Sequence, residues 1–162
     1  MSWAGKWSKK PYLEQFERLK RWHERLIDIQ RSLSVKDSLY SKYDDADFEV
    51  DTFYAFFMNS YHLKDWLLSS GVVKKKEVED FINTNLELKI CRDLCNGSKH
   101  LNLTSPSTRS GPFGIATLHK EYTPIGKKRS YCVLAEGKHD VFDLANRCVA
   151  IWAEFLQSKG LL

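Results

Sequence analysis

The sequence predicts a mainly α fold: an antiparallel helical bundle of four long helices and one short helix, with a β-hairpin inserted before the last helix. Three observations lead there. Apolar residues recur every three or four positions in separate stretches, which puts them on one stripe of a helix. Between residues 113 and 135, two strand-like runs flank a turn that contains Pro and Gly. The 162 residues include five Trp, nine Phe and seven Tyr. That many large side chains can offset ordering entropy by burial, which excludes a disordered chain.

The first helix starts near Pro11, a residue tolerated in an opening turn. Its stripe is Leu13, Phe16, Leu19, Trp22, Leu26, Ile29 and Leu33, and Glu14, Glu17, Arg18, Arg21, Arg25 and Asp28 lie opposite. Residues 32–49 are polar and acidic and read either as an extension of this helix or as a loop anchored by Tyr40 and Tyr43. Asp51 is the expected N-cap of a second helix, Asp51–Ser69, ended by Gly71. Phe53, Tyr54, Phe57, Met58, Tyr61, Trp66 and Leu67 give it a broad apolar face, as for a central helix.

Lys74-Lys75-Lys76 opens the short third helix, and Asn83-Thr84-Asn85 ends it and caps the fourth. The fourth runs from Leu86 to about Leu101, with Leu86, Ile90, Leu94, Gly97 and Leu101 inward. A turn-rich loop, residues 104–112, follows. Strands are expected over 113–122 and 129–135. Asp140 then caps a last helix with the stripe Val141, Leu144, Ala145, Cys148, Trp152, Phe155 and Leu156, ended by Gly160. No repeat or domain boundary interrupts the chain, so residues 1–162 read as one domain.

Composition narrows the function classes. No run approaches the roughly 20 apolar residues of a membrane span. Met1-Ser2-Trp3-Ala4-Gly5-Lys6 contains no apolar core of a signal peptide, so a cytoplasmic protein is expected. Cys91, Cys95, Cys132 and Cys148 are then expected to be free thiols that pack as small apolar residues. Cys91 and Cys95 share a helix face, but structural zinc usually needs two C-x-x-C pairs, and no metal or cofactor is expected. Net charge is +4, unevenly spread: residues 1–34 carry +4 and residues 35–60 carry −4. A basic segment beside an acidic one suits an electrostatic partner such as nucleic acid, and equally suits two solvated faces.

The fourth helix carries the densest polar pattern. At about 100° per residue, Lys89, Arg92, Asp93, Asn96 and His100 fall on one face, with Ser98 and Lys99 at the helix end. The helix dipole favours the protonated form of a His in the last turn. A His poised near neutrality beside Arg and Lys is what RNA cleavage by proton transfer requires: one group takes the 2′-hydroxyl proton, and cations stabilise the phosphorane. Solvation alone, with His100 as a helix-capping residue, accounts for the same pattern. A second cluster, His62 and Asp65, lies three residues apart on the second helix. Antiparallel packing of helices two and four would bring it to Asn96 or His100.

The runs Phe56-Phe57-Met58-Asn59-Ser60-Tyr61-His62-Leu63-Lys64-Asp65-Trp66 and Cys91-Arg92-Asp93-Leu94-Cys95-Asn96-Gly97-Ser98-Lys99-His100 resemble segments of a group of bacterial proteins of uncharacterised function. The helix order and the late Arg-to-His segment are similar to the HEPN superfamily of helical-bundle domains. Many members of that superfamily are ribonucleases of toxin–antitoxin and antiphage systems, acting as dimers that pair two Arg/His motifs in one cleft. The resemblance implies Arg92 and His100 as catalytic candidates, with Asp93 at the polar position after the Arg. Seven residues separate Arg92 from His100, one more than the longest spacing of the family pattern.

Three functions follow as expectations. The first is a metal-independent endoribonuclease of a bacterial toxin–antitoxin or antiphage system. Arg92, His100 and Asn96 would be catalytic, Lys99, Asp93, Ser98, His62 and Asp65 would bind substrate, and the chain would act as a homodimer on RNA, with an antitoxin or defence-complex subunit as protein partner. The second is a non-catalytic interaction or regulatory module, in which the hairpin edge accepts a partner strand. The third is a metal-dependent hydrolase using His62, Asp65 and His100.

Overall fold

The computed structural model describes residues 9–34, 46–99, 113–123 and 126–162. Five helices and three strands follow in order: α1 (Pro11–Ser34), α2 (Ala46–Ser69), α3 (Lys75–Thr84), α4 (Leu86–Lys99), β1 (Gly114–Thr123), β2 (Gly126–Leu134), β3 (Lys138–Asp140) and α5 (Val141–Ser158). The fold is mainly helical, with a small antiparallel sheet before the last helix, as the sequence predicts.

Each helix buries the stripe its spacing dictates. In α1, Phe16, Leu19, Leu26 and Ile29 are buried, while Leu13, Trp22 and Leu33 pack at the margin. In α2 the core residues are Phe53, Phe56, Phe57, Leu63 and Leu67. The buried arc therefore turns towards Phe56, leaving Tyr54, Met58, Tyr61 and Trp66 only partly covered. In α5 the whole predicted stripe is buried. Trp152 stands at the centre, with its ring 5.8 Å from those of both Phe81 and Phe155. Its indole N–H donates to Ser60 Oγ at 3.2 Å, so the one polar atom of this large side chain is satisfied inside the core.

Helix pairing is antiparallel and can be read from side-chain partners. Gln15 Nε2 donates to Asn59 O at 3.0 Å at one end of the α1–α2 seam, and Trp22, Arg25 and Ile29 face Phe48, Asp51 and Thr52 at the other. Ser98 Oγ lies 3.6 Å from Met58 Sδ and Cys95 Sγ lies 3.4 Å from His62 Nε2, so α4 runs opposite to α2. His23 bridges to Asn146 at 2.6 Å and the Tyr12 hydroxyl reaches Leu161 O at 3.4 Å, which sets α1 against α5.

The strands form one sheet in the order β1-β2-β3. The β1–β2 ladder continues to Thr123↔Gly126, so the connection is shorter than the expected 123–128 turn. β3 was not foreseen. It pairs Cys132 with Asp140 and Leu134 with Lys138 across a tight turn at Ala135–Gly137. Glu136 and Gly137 have φ of +49° and +117°, and the second of these strongly favours glycine. Asp140 closes the sheet and caps α5, accepting from the N–H groups of Phe142 and Asp143 at 2.9 Å each.

Two expectations need correction. Asp51 does not cap α2, which starts at Ala46 and places Asp51 on an exposed helical turn. Tertiary packing explains the extension: Glu49 is buried and accepts a hydrogen bond from the Tyr131 hydroxyl of β2, while the rings of Phe53 and Tyr131 pack edge to face at 4.9 Å. Asn85 stands at the start of α4 but does not cap it with its side chain, which donates back to Phe81 O at 2.7 Å; its carbonyl accepts the first intrahelical bond, from Lys89 N at 3.1 Å. Tyr40, Tyr43, Leu101, the 104–112 loop and the turn residues Pro124 and Ile125 lie outside the described residues.

Candidate functional site

The antiparallel seam between α2 and α4 brings together side chains that are distant in sequence. His62 Nε2 meets Cys95 Sγ at 3.4 Å, and this is the ring's contact among the described residues. Cys95 is buried and His62 half-buried beside it. Burial lowers the pKa of His62 from its usual 6.5; Asp65, one turn along α2, raises it in part, and the charge of Lys99 lowers it further. Burial likewise raises the pKa of the Cys95 thiol above 9.0, with Lys99 opposing. The pair is therefore a neutral imidazole against a protonated thiol, not a thiolate–imidazolium pair, and it lacks the activated nucleophile of cysteine catalysis.

Of the eight predicted site residues, the structure groups His62, Asp65, Ser98 and Lys99 around this seam. Ser98 Oγ donates to Cys95 O at 2.7 Å and touches Met58. Asn96 lies half-buried on α4 between Cys95 and Lys99 in sequence. His100 lies outside the described residues. Cys95 is the member that the sequence reading assigned to packing alone. Its signal was present in the i, i+4 pair Cys91/Cys95 on one face of α4, but the partner across the seam becomes visible only once the helices are docked.

Asp93 is a correction. It is 1% exposed and so does not belong to the open polar face. The reason is geometric: α4 packs against α2 and α5 at once, burying Leu88, Ile90, Cys91, Leu94 and Cys95, and so broad an arc takes in the position next to Leu94.

Arg92 is braced by α3. Its Nη2 donates to Asn83 Oδ1 at 3.0 Å, and Nη1 lies 3.9 Å from Glu79 Oε2. Glu79 also accepts from Lys64 Nζ at 3.3 Å, and Lys64 donates to the Tyr61 hydroxyl at 3.0 Å. Lys64 thus carries a raised pKa: the Tyr61 and Glu79 contacts together outweigh the burial that opposes them. Tyr61, Lys64, Glu79, Arg92 and Asn83 form one polar chain across α2, α3 and α4.

Elsewhere, Cys91 and Cys148 approach to 3.5 Å inside the α4–α5 interface as free thiols, and burial raises the pKa of Cys148 strongly. Among the described residues no group of three His, Cys, Asp or Glu side chains is placed to hold a metal ion, and no helix is long and apolar enough to cross a membrane. A cavity of about 330 Å³ opens between α1 and α2, lined by Trp22, Arg25, Ile29, Phe48, Asp51 and Thr52. It lies roughly 16 Å along α2 from His62, at 1.5 Å per residue, and holds none of the predicted site residues.

Compared with protein-family models, curated proteins and solved structures, the chain matches none.

Proposed function

We propose that this chain is a HEPN-like endoribonuclease of a bacterial toxin–antitoxin or antiphage system, cutting RNA by metal-independent acid/base chemistry at the α2–α4 seam. One observation carries the reading: antiparallel docking of α2 on α4 gathers His62, Asp65, Ser98 and Lys99 at the end of α4 that leads into His100. In this reading His100 is the acid/base, Lys99 and His62 engage the phosphate, and Asn96 orients the scissile nucleotide. Arg92 stabilises the developing charge from an orientation imposed by Asn83 and Glu79, since a transition-state donor works best when its neighbours hold it in place. A homodimer would set two such ends against one RNA strand, and an antitoxin or defence-complex subunit would be the protein partner.

The test is incubation of purified protein with mixed RNA in a chelator. The reading expects fragments from the wild type and none from His100→Ala at matched folding. RNA left intact by stoichiometric wild-type protein sinks it.

A second reading, a non-catalytic interaction or regulatory module, draws on the interior role of Asp93 and on the bracing of Arg92 by α3. Both are what a purely structural α4 would show. Pull-down of a stoichiometric partner by a protein that leaves RNA uncut would favour it.

A further inference from the structure

We propose that Cys91 and Cys148 form a reversible redox staple: hydrogen peroxide joins their sulfurs in a disulfide that ties α4 to α5, and a thiol reductant releases it. The proposal stands on the geometry of the α4–α5 interface and does not depend on the ribonuclease reading.

Cys91 Sγ and Cys148 Sγ lie 3.5 Å apart, 57 residues apart in sequence, and both side chains are fully buried. A disulfide bond is about 2.0 Å long, so roughly 1.5 Å has to close, which small χ1 rotations of the two side chains supply. A second contact keeps the sulfurs opposed. Glu87, one turn before Cys91 on α4, places its carbonyl oxygen 3.9 Å from Cys148 Sγ and its carboxylate 3.5 Å from Arg147 Nε. Neighbouring turns of α4 thus hold neighbouring residues of α5. The other two cysteines face elsewhere: Cys95 meets His62 of α2, and Cys132 stands on β2 opposite Asp140.

The reaction needs one oxidant. An electron pair of one sulfur attacks the peroxide, the O–O bond breaks, and a sulfenic acid and water result. The second sulfur then attacks the first, the S–O bond breaks, and the hydroxyl leaves as water with the second thiol's proton. Two thiols and one hydrogen peroxide therefore give one disulfide and two waters, and the two electrons lost by sulfur reduce the peroxide. Burial holds the Cys148 thiol protonated, while the thiolate is the attacking form, so the closed interface reacts slowly. Separation of α4 from α5 sets the rate; the ion pair at the rim, with Arg147 half exposed, is a weak restraint on it. Once made, the bond closes a long loop in the unfolded chain and so favours the folded one.

The experiment treats the full folded chain with hydrogen peroxide, then unfolds and alkylates it, and reads the intact mass and the proteolytic peptides. The expected product has monomer mass less two hydrogens, one peptide pair joining Cys91 to Cys148, and full recovery of both thiols in dithiothreitol. Its Tm rises by about 5–10 °C. Cys91→Ser and Cys148→Ser each abolish the cross-link and the rise, while Cys95→Ser and Cys132→Ser keep both. The absence of a cross-link, a cross-link through Cys95 or Cys132, equal yield from chain oxidised in denaturant, or a Tm that does not rise overturns the proposal. The wild-type peptide map decides even if a variant does not fold.

Discussion

Replacing Arg92 with Ala separates a brace from a free cation. The side chain is mostly covered, with 18% of its area exposed, and its contacts include a 3.0 Å hydrogen bond to Asn83 and a loose 3.9 Å ion pair to Glu79. The hydrogen bond should contribute about 0.5–1.5 kcal/mol. The ion pair, part-exposed and long, should add no more than about 0.5 kcal/mol after solvent screening. Glu79 keeps Lys64 at 3.3 Å, so removing Arg92 does not strand a carboxylate and no large desolvation cost is added. These two contacts together contribute about 0.5–2 kcal/mol, which for a chain of this length lowers Tm by roughly 1–8 °C. Thermal unfolding followed by circular dichroism measures it, with Asn83→Ala and the double variant completing a cycle. The cycle should give a coupling of about 0.5–1.5 kcal/mol. An unchanged Tm for Arg92→Ala, or a coupling of zero, would refute the brace.

Asp140→Ala removes the acceptor for two N–H groups at the start of α5 and should cost about 1–2 kcal/mol in urea unfolding. Ser60→Ala leaves the indole N–H of Trp152 without its acceptor in the core and should cost about 1–3 kcal/mol, with Trp fluorescence reporting the same transition. Gly137→Ala places a Cβ at φ +117° with no heavy atom within 4 Å, so its cost, about 1–3 kcal/mol of backbone strain, should appear without any packing change. For His62 the folded pKa is depressed, so the unfolded chain binds more protons as pH falls below 6.5. Its contribution to stability is complete above that pH and is lost on acidification through 6.5 towards the lower folded value. Melting curves between pH 7 and pH 5 should therefore fall less steeply in His62→Gln than in the wild type.

Much of the helical frame was legible because periodicity and burial agree wherever a helix has one partner on one side. The α1 and α5 stripes, the break at Asn83–Asn85 and the Asp140 cap are of this kind. The misreadings share a different cause. Asp51 looks like a cap, and Glu49 like the end of an acidic connection, only until Tyr131, 82 residues from Glu49, donates to it. Asp93 looks open until α4 is packed on two neighbours at once. β3 spans three residues and carries too few side chains for alternation to register; only Gly137 marks its turn.

The candidate site divides in the same way. His62 and Asp65 on one helix, and Ser98 and Lys99 on another, were visible as local clusters; antiparallel packing was expected to bring the first pair to Asn96 or His100, whereas the seam sets His62 against Cys95, and His100 lies outside the described residues. Cys95 as the partner of His62 was not visible, since a cysteine one turn from another on an apolar face carries no local sign of what it will touch. Arg92 showed its charge in the sequence but not its brace, because Asn83 and Glu79 lie on another helix.

The most direct measurement is a map of where RNA touches the chain: NMR chemical-shift changes in the labelled protein on titration with a short RNA whose 2′-hydroxyls are replaced by hydrogen, so that it binds uncut. The account predicts saturable changes centred on His62, Ser98 and Lys99, with those at Trp22 and Phe48 remaining small. Changes confined to the α1–α2 cavity, or none at the α2–α4 seam at saturating RNA, would contradict it.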